Sequence, residues 1–386
     1  MSEAPEQIPV FDVRVTDDDL VAVEEALRSG WLTMGERTER FEREFAESIG
    51  VEHCVALSSC TAALHLACIA ADIGPGDEVI VPSMTFAATA NAVRYTGATP
   101  IFADLVSESD LGIDVDSVEA AITERTKAVI PVHYAGYPVA IDRLAALCDE
   151  RGLALIEDAA HAPSARLAPG SKKLGAFGIA GCFSFFPNKV LGVGEGGALV
   201  TDSAAFAERI RHLRSQGMTA VSIDRHRDAS IGYDVHERGY NYRFDDPRAA
   251  LLLSRFHRLE PELVERRKVV QRYRDLLADA PAISIPYADF DLDCSSCYLM
   301  GVLAPDAETR RALRNRLAEV HGVQTTMYPA VHLFTAYREA YGTPSLPRTE
   351  RVADGLFSIP LFPHMTSEQQ DRVAAGLLES IDEVAS

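Results

Sequence analysis

The chain has 386 residues, of which 47% are hydrophobic and 24% are charged, an ordinary globular composition. This length predicts two domains, each with its own core. The net charge of −20 argues against a nucleic acid partner, because phosphate binding requires a basic face, but it allows a local pocket for a small anion. No apolar run approaches the roughly 18 residues of a membrane helix, and residues 1–9 are unlike a signal peptide. We therefore expect a cytoplasmic protein without membrane contact.

Seven cysteines are scattered along the chain, and this odd number favours free thiols over a disulfide framework. Cys294 and Cys297 have the spacing of half a zinc site, but no second pair of ligands accompanies them. We expect no metal site.

Amphipathic helices are predicted at residues 17–28, with Leu20, Val23 and Leu27 on the apolar face, and at 38–49. Short β-rich runs then alternate with helical patterns. The strands are at 54–57, 78–81, 99–103, 128–132 and 153–156, and the helices are at 61–71, 87–95, 116–122 and 141–150. This alternation indicates βαβ units and a mainly parallel sheet with helices on both faces. Strands at 179–185 and 197–201 and a helix at 204–216 complete a seven-stranded α/β domain.

Residues 217–245 are polar and arginine-rich without periodicity, which predicts a long functional loop. A helix at 247–277, a strand at 297–303 and helices at 308–320 and 367–381 follow it and suit a smaller α+β domain. We therefore predict a large α/β domain at 1–245 and a small C-terminal domain at 246–386.

Lys189 lies between an apolar run, residues 179–186, and a glycine-rich turn, residues 192–197. The chain has five lysines beside 32 arginines, so a lysine in a buried-looking setting is unusual here. A desolvated lysine loses its proton readily and then forms a Schiff base with a carbonyl group, which arginine does not do. Taken alone, the residue is equally consistent with a surface lysine on a turn between two strands.

Ligands of open parallel sheets bind beyond the carboxyl ends of the strands, so the residues there are the candidates for chemistry. Asp158 follows one strand and would keep a pyridine nitrogen protonated, or else cap the next turn. Residues 58–63 lead into a helix, and their hydroxyl and N–H groups either bind a phosphate or only cap the N-terminus of that helix. Ser184 offers a second hydroxyl group to the same phosphate. Phe86 follows another strand, where an aromatic ring stacks on a cofactor or packs in the core.

These features follow one another in the order found in fold-type I pyridoxal-phosphate (PLP) enzymes: a phosphate-binding turn, an aromatic residue, an aspartate at a strand end and then a lysine. The strings of residues narrow this likeness, which runs along nearly the whole chain. They strongly resemble the nucleotide-sugar aminotransferase family of the DegT/StrS type. The strings are Ser-Cys-Thr-Ala-Ala-Leu at 59–64, Gly-Asp-Glu-Val-Ile-Val-Pro at 76–82, Glu-Asp-Ala-Ala at 157–160, Cys-Phe-Ser-Phe-Phe-Pro-Asn-Lys at 182–189 and Gly-Tyr-Asn-Tyr-Arg at 239–243.

The resemblance implies a role for each matching residue. Lys189 looks like the Schiff-base lysine, which also carries the proton between substrate and cofactor. Asp158 looks like the partner of the pyridinium nitrogen, and Phe86 like the stacking aromatic. The residues implied to hold the phosphate are Cys60, Thr61 and Ser184. Asn241 corresponds to an asparagine that reaches the phosphate of the neighbouring subunit, which implies a homodimer with two shared sites.

The chain departs from the family pattern at two positions. The family usually has glycine where this chain has Cys60, so the larger side chain points away from the phosphate or the turn is altered. His161 stands where glutamine is most frequent, near the cofactor's 3′-oxygen; it would donate a hydrogen bond and make the cofactor sensitive to pH. A dehydrating branch has histidine in place of the lysine, so the presence of Lys189 favours transamination.

Substrate residues are sought in three loops. The arginines of the 217–245 loop, including Arg225 and Arg227, form either a diphosphate clamp, because guanidinium pairs bidentately with phosphate oxygens, or a solvated loop. The other loops resemble the substrate-facing ones of the family, and they contain Thr33, Tyr328 and His332.

The resemblance implies transfer of an amino group, from L-glutamate, to a keto-deoxysugar carried on a nucleoside diphosphate. The expected acceptor is the 4-keto or 3-keto form of a 6-deoxyhexose, for a surface polysaccharide or for a natural product such as an antibiotic. Amination of a keto-cyclitol is the alternative within the family and needs less diphosphate-binding charge. A PLP-binding regulatory protein without turnover is the alternative outside enzymes, since a fold does not fix a function.

Overall fold

The computed structural model describes residues 6–220, 222–228, 230–280 and 282–384. Seven strands form its central sheet: β1 (His53–Leu57), β2 (Glu78–Pro82), β3 (Thr99–Ala103), β4 (Thr126–Val129), β5 (Ala154–Asp158), β6 (Ala180–Ser184) and β7 (Gly197–Thr201). Their order in space is β1-β7-β6-β5-β4-β2-β3, and all neighbours are parallel except β7, which is antiparallel to β1 and to β6. The predicted sheet is confirmed.

Helices pack on both faces of this sheet. Successive side chains of β1 are buried on opposite faces of the sheet. Val55 and Leu57 belong to the core on one face, and Cys54 and Ala56 belong to the core on the other. A period of two is what a strand buried on both faces requires. The helices up to the end of the α/β layers are α1 (Asp17–Arg28), α2 (Glu36–Ile49), α3 (Cys60–Ala70), α4 (Ala88–Tyr95), α5 (Val115–Ala121), α6 (Ile141–Arg151) and α7 (Ala204–Arg214).

The loop predicted at 217–245 contains a short helix, α8 (Ser222–Arg227), which the sequence did not predict. Isolated bridges join Met218 to Val235 and Ser215 to Asn241, so the segment folds back along itself. Backbone pairing explains the order of a segment that has no apolar periodicity.

The predicted helix at 247–277 is wrong, because two helices, α9 (Asp246–Phe256) and α10 (Leu259–Leu276), occupy this region. Pro261 has no N–H and would collide with the carbonyl of the preceding turn inside a continuous helix. It is tolerated in the first turn of α10. At the break, Arg258 donates to both carboxylate oxygens of Asp19, at 3.0 and 2.9 Å.

That ion pair also sets the orientation of α1, which packs on α9. The predicted apolar face is wrong at two positions, since Leu20 and Leu27 are 60% and 53% exposed. Asp19 and Ala26 are buried in their place. Burial raises the pKa of Asp19, but the hydrogen bond from Arg258 and other donors outweigh it and hold the pKa at about 2.

A second, antiparallel sheet consists of β8 (Met300–Leu303) and β9 (Leu356–Ile359). Four more helices complete the chain: α11 (Ala307–Glu319), α12 (Thr335–Tyr341), α13 (Pro347–Gly355) and α14 (Ser367–Val384). The second sheet shares its core with α10, α11 and α14. Ile8 joins this core, donating to the Gly322 carbonyl at 2.8 Å. The domain boundary between 245 and 246 stays a prediction.

The seven cysteines are free thiols and all are buried. No group of three or more metal-binding side chains lies together among the described residues. Within the same part of the chain, none of the helices combines the length and apolarity needed to span a bilayer.

Candidate active site

Lys189 lies on the turn after β6 and lines a cavity of about 300 Å³. Its Nζ donates to Tyr298 Oη at 3.3 Å and lies 4.4 Å from the centroid of that ring. Burial lowers the pKa of Lys189 to about 8, against the opposing effect of the Asp158 carboxylate. A sizeable fraction of the amine is therefore neutral near pH 8, which is the form that attacks a carbonyl group.

Close backbone contacts fix the turn that carries Lys189. A Cβ on Gly192 would lie 2.5 Å from the Pro187 carbonyl oxygen and 2.6 Å from that of Phe186. Only glycine allows the chain to return so close to these two carbonyls. The glycine-rich turn of the sequence thus holds the lysine in place.

Asp158 ends β5 and is buried on the wall of the same cavity. Its Oδ2 accepts from Thr89 Oγ1 at 2.8 Å, and its Oδ1 accepts from the Ala160 N–H at 3.2 Å. Burial raises the pKa of Asp158, while these two donors and the charge of Lys189 lower it. The hydrogen bond from the Ala160 N–H is the turn cap that the sequence analysis gave as the alternative role of Asp158. Asp158 therefore caps the turn and lines the cavity at the same time.

The N-terminus of α3 supplies N–H groups at another wall of the cavity. The first N–H groups of a helix have no partner within it, and of these the Ala62 N–H donates to Ser59 Oγ at 3.1 Å. The Ala63 N–H makes the first bond of the helix itself, to the Ser59 carbonyl at 3.1 Å. The N–H groups of Cys60 and Thr61 remain for a ligand, and both residues line the cavity, as does Ser184. An anion is favoured at such a position.

Cys60 does not distort this helix start. α3 begins at Cys60 with its Ser59 cap intact, and the Cys60 side chain belongs to the core beside the sheet. The expectation that the larger side chain points away from the N–H groups agrees with this burial. A Cβ on Gly197, at the start of β7, would collide with the Cys60 nitrogen, so strand and helix approach each other as closely as a glycine allows.

Aromatic rings complete the cavity. Phe86 is 62% exposed and lines it, so the core-packing alternative for this residue is wrong. His161 is buried, and its Nδ1 accepts from the Ala135 N–H at 3.2 Å, which leaves the proton on Nε2. Burial, with the nearby Lys189 charge, lowers the pKa of His161 well below its ordinary value. A pKa shifted in this direction favours the neutral ring and so opposes the expected pH sensitivity, which stays a prediction.

Comparison with known proteins decides the family. The model of the DegT/DnrJ/EryC1/StrS aminotransferase family matches residues 14–378. The chain is 36% identical, over 92% of both chains, to the spore coat polysaccharide biosynthesis protein SpsC of Bacillus subtilis.

The chain belongs to the DegT/DnrJ/EryC1/StrS aminotransferase family.

Solved structures agree with this assignment. The aminotransferase TlmJ of Streptoalloteichus hindustanus is 34% identical, with a TM-score of 0.90 over 98% of this chain and 100% of that one. A protein of Streptococcus pneumoniae, solved in its PLP form, is 26% identical, with a TM-score of 0.91 over 99% of this chain and 100% of that one. The fold is therefore that of fold-type I PLP enzymes, and the protein is a PLP-dependent sugar aminotransferase.

The residues of the cavity fit PLP. The free N–H groups of Cys60 and Thr61, with Ser184, would hold its phosphate, and the Asp158 carboxylate would accept from its ring nitrogen. When bound, the cofactor supplies a carbonyl carbon and a ring that withdraws electrons from the substrate carbon. Lys189 Nζ would then take up and return the proton that the reaction moves, and its lowered pKa suits both directions.

Three predicted site residues, Asn241, Thr33 and Arg227, lie outside this cavity within one chain. Asn241 is exposed, and Thr33 is exposed with its carbonyl accepting from the Asp246 N–H. Arg227 donates twice to Glu39, at 3.0 and 2.8 Å. Tyr328, in contrast, does line the cavity, and its hydroxyl lies 3.4 Å from that of Tyr298.

The prediction that His332 faces substrate is wrong, because the side chain is fully buried. Its Nδ1 lies 2.6 Å from Ser83 Oγ, which also accepts from the His332 N–H at 3.0 Å. The residue ties the segment after Tyr328 to the end of β2. The side chain of Arg225 lies outside the described residues, so its predicted role stays a prediction.

Two residues of the site were missed from the sequence. Tyr298 contacts Lys189 from 109 positions away, and it stood in a run that only predicted an apolar strand. Thr89 lies inside a helical pattern, and the sequence does not distinguish a threonine that donates to a buried carboxylate from any other threonine of a helix. Neither position carries a local signal.

The lowered pKa of Lys189 predicts how the apoprotein captures PLP. Below the pKa the amine is protonated and cannot attack, so the capture rate should rise about tenfold per pH unit and level off near pH 8. The rate is measured by stopped-flow absorbance from pH 6 to 10. A rate that keeps rising past pH 9, as for an ordinary lysine, would contradict the desolvated amine.

Proposed function

We propose that the protein transfers the amino group of L-glutamate to a nucleoside-diphosphate-linked keto-deoxysugar, a 4-keto-6-deoxyhexose or its 3-keto isomer. The observation that carries this proposal is the pairing of Lys189 and Asp158 in one cavity. The lysine amine has a pKa of about 8, and the carboxylate is buried opposite the N–H groups of α3. Such a site moves one proton at a carbon next to nitrogen, which is the chemistry that both halves of a transamination share.

The mouth of the cavity supports a sugar as acceptor. Phe86 is exposed there, and the ring of Tyr328 lies 5.9 Å from that of His161. Aromatic faces and a phenol suit a ring that has one apolar face and several hydroxyl groups. The name of the Bacillus subtilis relative supports a surface polysaccharide as the destination; a natural product such as an antibiotic is the other.

A keto-cyclitol acceptor is the second candidate, and one observation favours it. The diphosphate clamp was sought at Arg225 and Arg227, and Arg227 is paired with Glu39. A guanidinium already held by a carboxylate has less to offer to a diphosphate. A cyclitol carries no such group.

The two acceptors are separated by assaying the glutamate-loaded enzyme against 4-keto and 3-keto nucleotide sugars and against keto-cyclitols. We expect amino-sugar formation, detected by mass spectrometry, and a KM for the nucleotide sugar that rises about tenfold in Arg225→Gln/Arg227→Gln. Arg28→Gln, at an exposed ion pair with Glu24, is the matched control. Turnover of a cyclitol alone, unchanged in the double variant, would replace the nucleotide-sugar proposal.

We further propose a homodimer with shared sites. Asn241 supports this, since the residue that the family resemblance assigns to the phosphate is exposed and lies outside the cavity of its own chain. Its segment is held in place by the bridge to Ser215 and by the stacked rings of Tyr240 and Tyr242, 5.2 Å apart. A held, exposed polar side chain is suited to reach into a second copy.

Mixing two inactive variants tests the shared site. If Asn241 acts on the partner's cofactor, a dimer of Lys189→Ala with Asn241→Ala has one intact site. A 1:1 mixture that exchanges subunits should then recover about a quarter of wild-type activity. If Asn241 acts within its own chain, no mixed dimer has an intact site, and the mixture stays as inactive as its components.

We propose a cytoplasmic location for this reaction. Seven buried free thiols support it, because such cysteines persist in a reducing compartment. Fractionation of cells that express a tagged chain tests this, and recovery outside the cytoplasm would contradict it.

A further inference from the structure

A second cavity, of about 700 Å³, adjoins the cofactor cavity and shares two residues with it, Asn188 and Lys189. Its other walls are the N-terminal segment at 11–17, the junction of α9 with α10, and residues 363–364. The site described above uses none of these walls. Lys189 therefore stands between two cavities, of which only one is explained by the cofactor.

Two buried arginines line this second cavity. Arg255 is 7% exposed and Arg266 is 4% exposed. In the part of the chain that the structure describes, the guanidinium of Arg255 has no hydrogen bond or ion pair. Arg266 reaches only the carbonyls of Cys297 and Leu361, at 3.4 and 3.5 Å, and its Nε is unpaired. Buried guanidinium groups ordinarily have full sets of acceptors, so both are incomplete.

The ion pairs beside the cavity involve Arg258 and leave out the two buried arginines. Arg258 is held by Asp19, and Glu262 lies 3.8 Å from the Arg258 Nε. Among the described residues, no carboxylate lies within ion-pair distance of Arg255 or Arg266. Burial lowers the pKa of Arg255, and it lowers that of Arg266 to about 10, which leaves Arg266 charged at neutral pH. The unpaired donors of these two guanidinium groups therefore favour an anionic ligand in the cavity.

We propose that Arg255 and Arg266 bind a carboxylate of the amino donor in this second cavity. The proposal rests on the proposed function, in which the donor is a dicarboxylic amino acid. Guanidinium is the side chain that pairs bidentately with carboxylate.

The connection to the chemistry runs through three residues. Arg266 donates to the carbonyl of Cys297, and the next residue, Tyr298, accepts from Lys189 Nζ. These two contacts, and the lining that Arg255, Arg266 and Lys189 share, place the arginines and the lysine around one cavity. The two cavities give the donor carboxylate and the acceptor sugar separate binding surfaces around one amine.

The direct test is binding of glutarate, which has the donor's carboxylates but no amine to react. Calorimetric titration of the PLP-loaded wild type should show binding that weakens about tenfold or more in Arg255→Gln. Arg255→Lys should recover part of the affinity, and Arg28→Gln should match the wild type. Equal affinity in wild type and Arg255→Gln, or binding of inorganic phosphate but not of glutarate, would overturn the proposal.

The half-reactions locate the effect. In Arg255→Gln, the glutamate concentration at half-maximal rate should rise about tenfold, while the reaction of the aminated enzyme with the keto-sugar keeps its KM. A variant that loses keto-sugar affinity alone would show that the arginines serve the acceptor, against the proposal. If wild type does not react with glutamate but binds glutarate through Arg255, the carboxylate site stands and the proposed donor fails.

The unfolding temperature distinguishes a binding role of Arg255 from a structural one. Because Arg255 has no partner to lose, Arg255→Met should unfold at a temperature no lower than the ligand-free wild type. Glutarate should raise the unfolding temperature of the wild type and leave that of Arg255→Met unchanged. A lower unfolding temperature for ligand-free Arg255→Met would show that Arg255 supports the fold, and would contradict a binding role.

Discussion

Desolvation of one amine is the constraint on which this site depends. Lys189 is held against the ring and hydroxyl of Tyr298, and burial lowers the pKa of Lys189 to about 8 although a carboxylate, Asp158, lines the same cavity. Two opposing effects meet here, since burial removes the proton and Asp158 retains it. The outcome is an amine that exchanges its proton near neutral pH, as a group that acts both as base and as acid must. The surrounding residues support this balance: His161 stays neutral, so Lys189 does not share the cavity with a second cation.

Sheet geometry explains how these groups meet. β5 and β6 are parallel neighbours, so their carboxyl ends bring Asp158 and the Lys189 turn to one edge. α3 follows β1, which pairs with β7 at the same end, and Gly197 lets the helix start close to that strand. Tyr298 comes from the segment before β8 and closes the remaining side. The strand ends thus place Asp158 and Lys189, whereas Arg255 and Arg266 belong to the α9–α10 region.

Much of this could be predicted from the sequence, because strands buried on both faces and strand-end residues leave local patterns. The seven strands, Lys189, Asp158 and the α3 phosphate turn follow from such patterns and from the family resemblance. The predictions that were wrong concern residues whose contacts lie far along the chain. The buried face of α1 is set by Asp19 and by an arginine 239 positions away, and no periodicity records that ion pair. The break before α10 did have a signal, Pro261, which the apolar spacing of the helix outweighed.

The central claim is that Lys189 is the amine that binds the cofactor and passes on the proton. Its most direct test is the absorption spectrum of the protein with PLP, before and after addition of glutamate, for the wild type, Lys189→Ala and the exposed control Lys172→Ala. The account predicts a lysine-bound cofactor band that glutamate removes in the wild type and in Lys172→Ala, and that never forms in Lys189→Ala. If the spectra of Lys189→Ala and the wild type are the same, Lys189 is not that residue, and the assignments built around it are wrong.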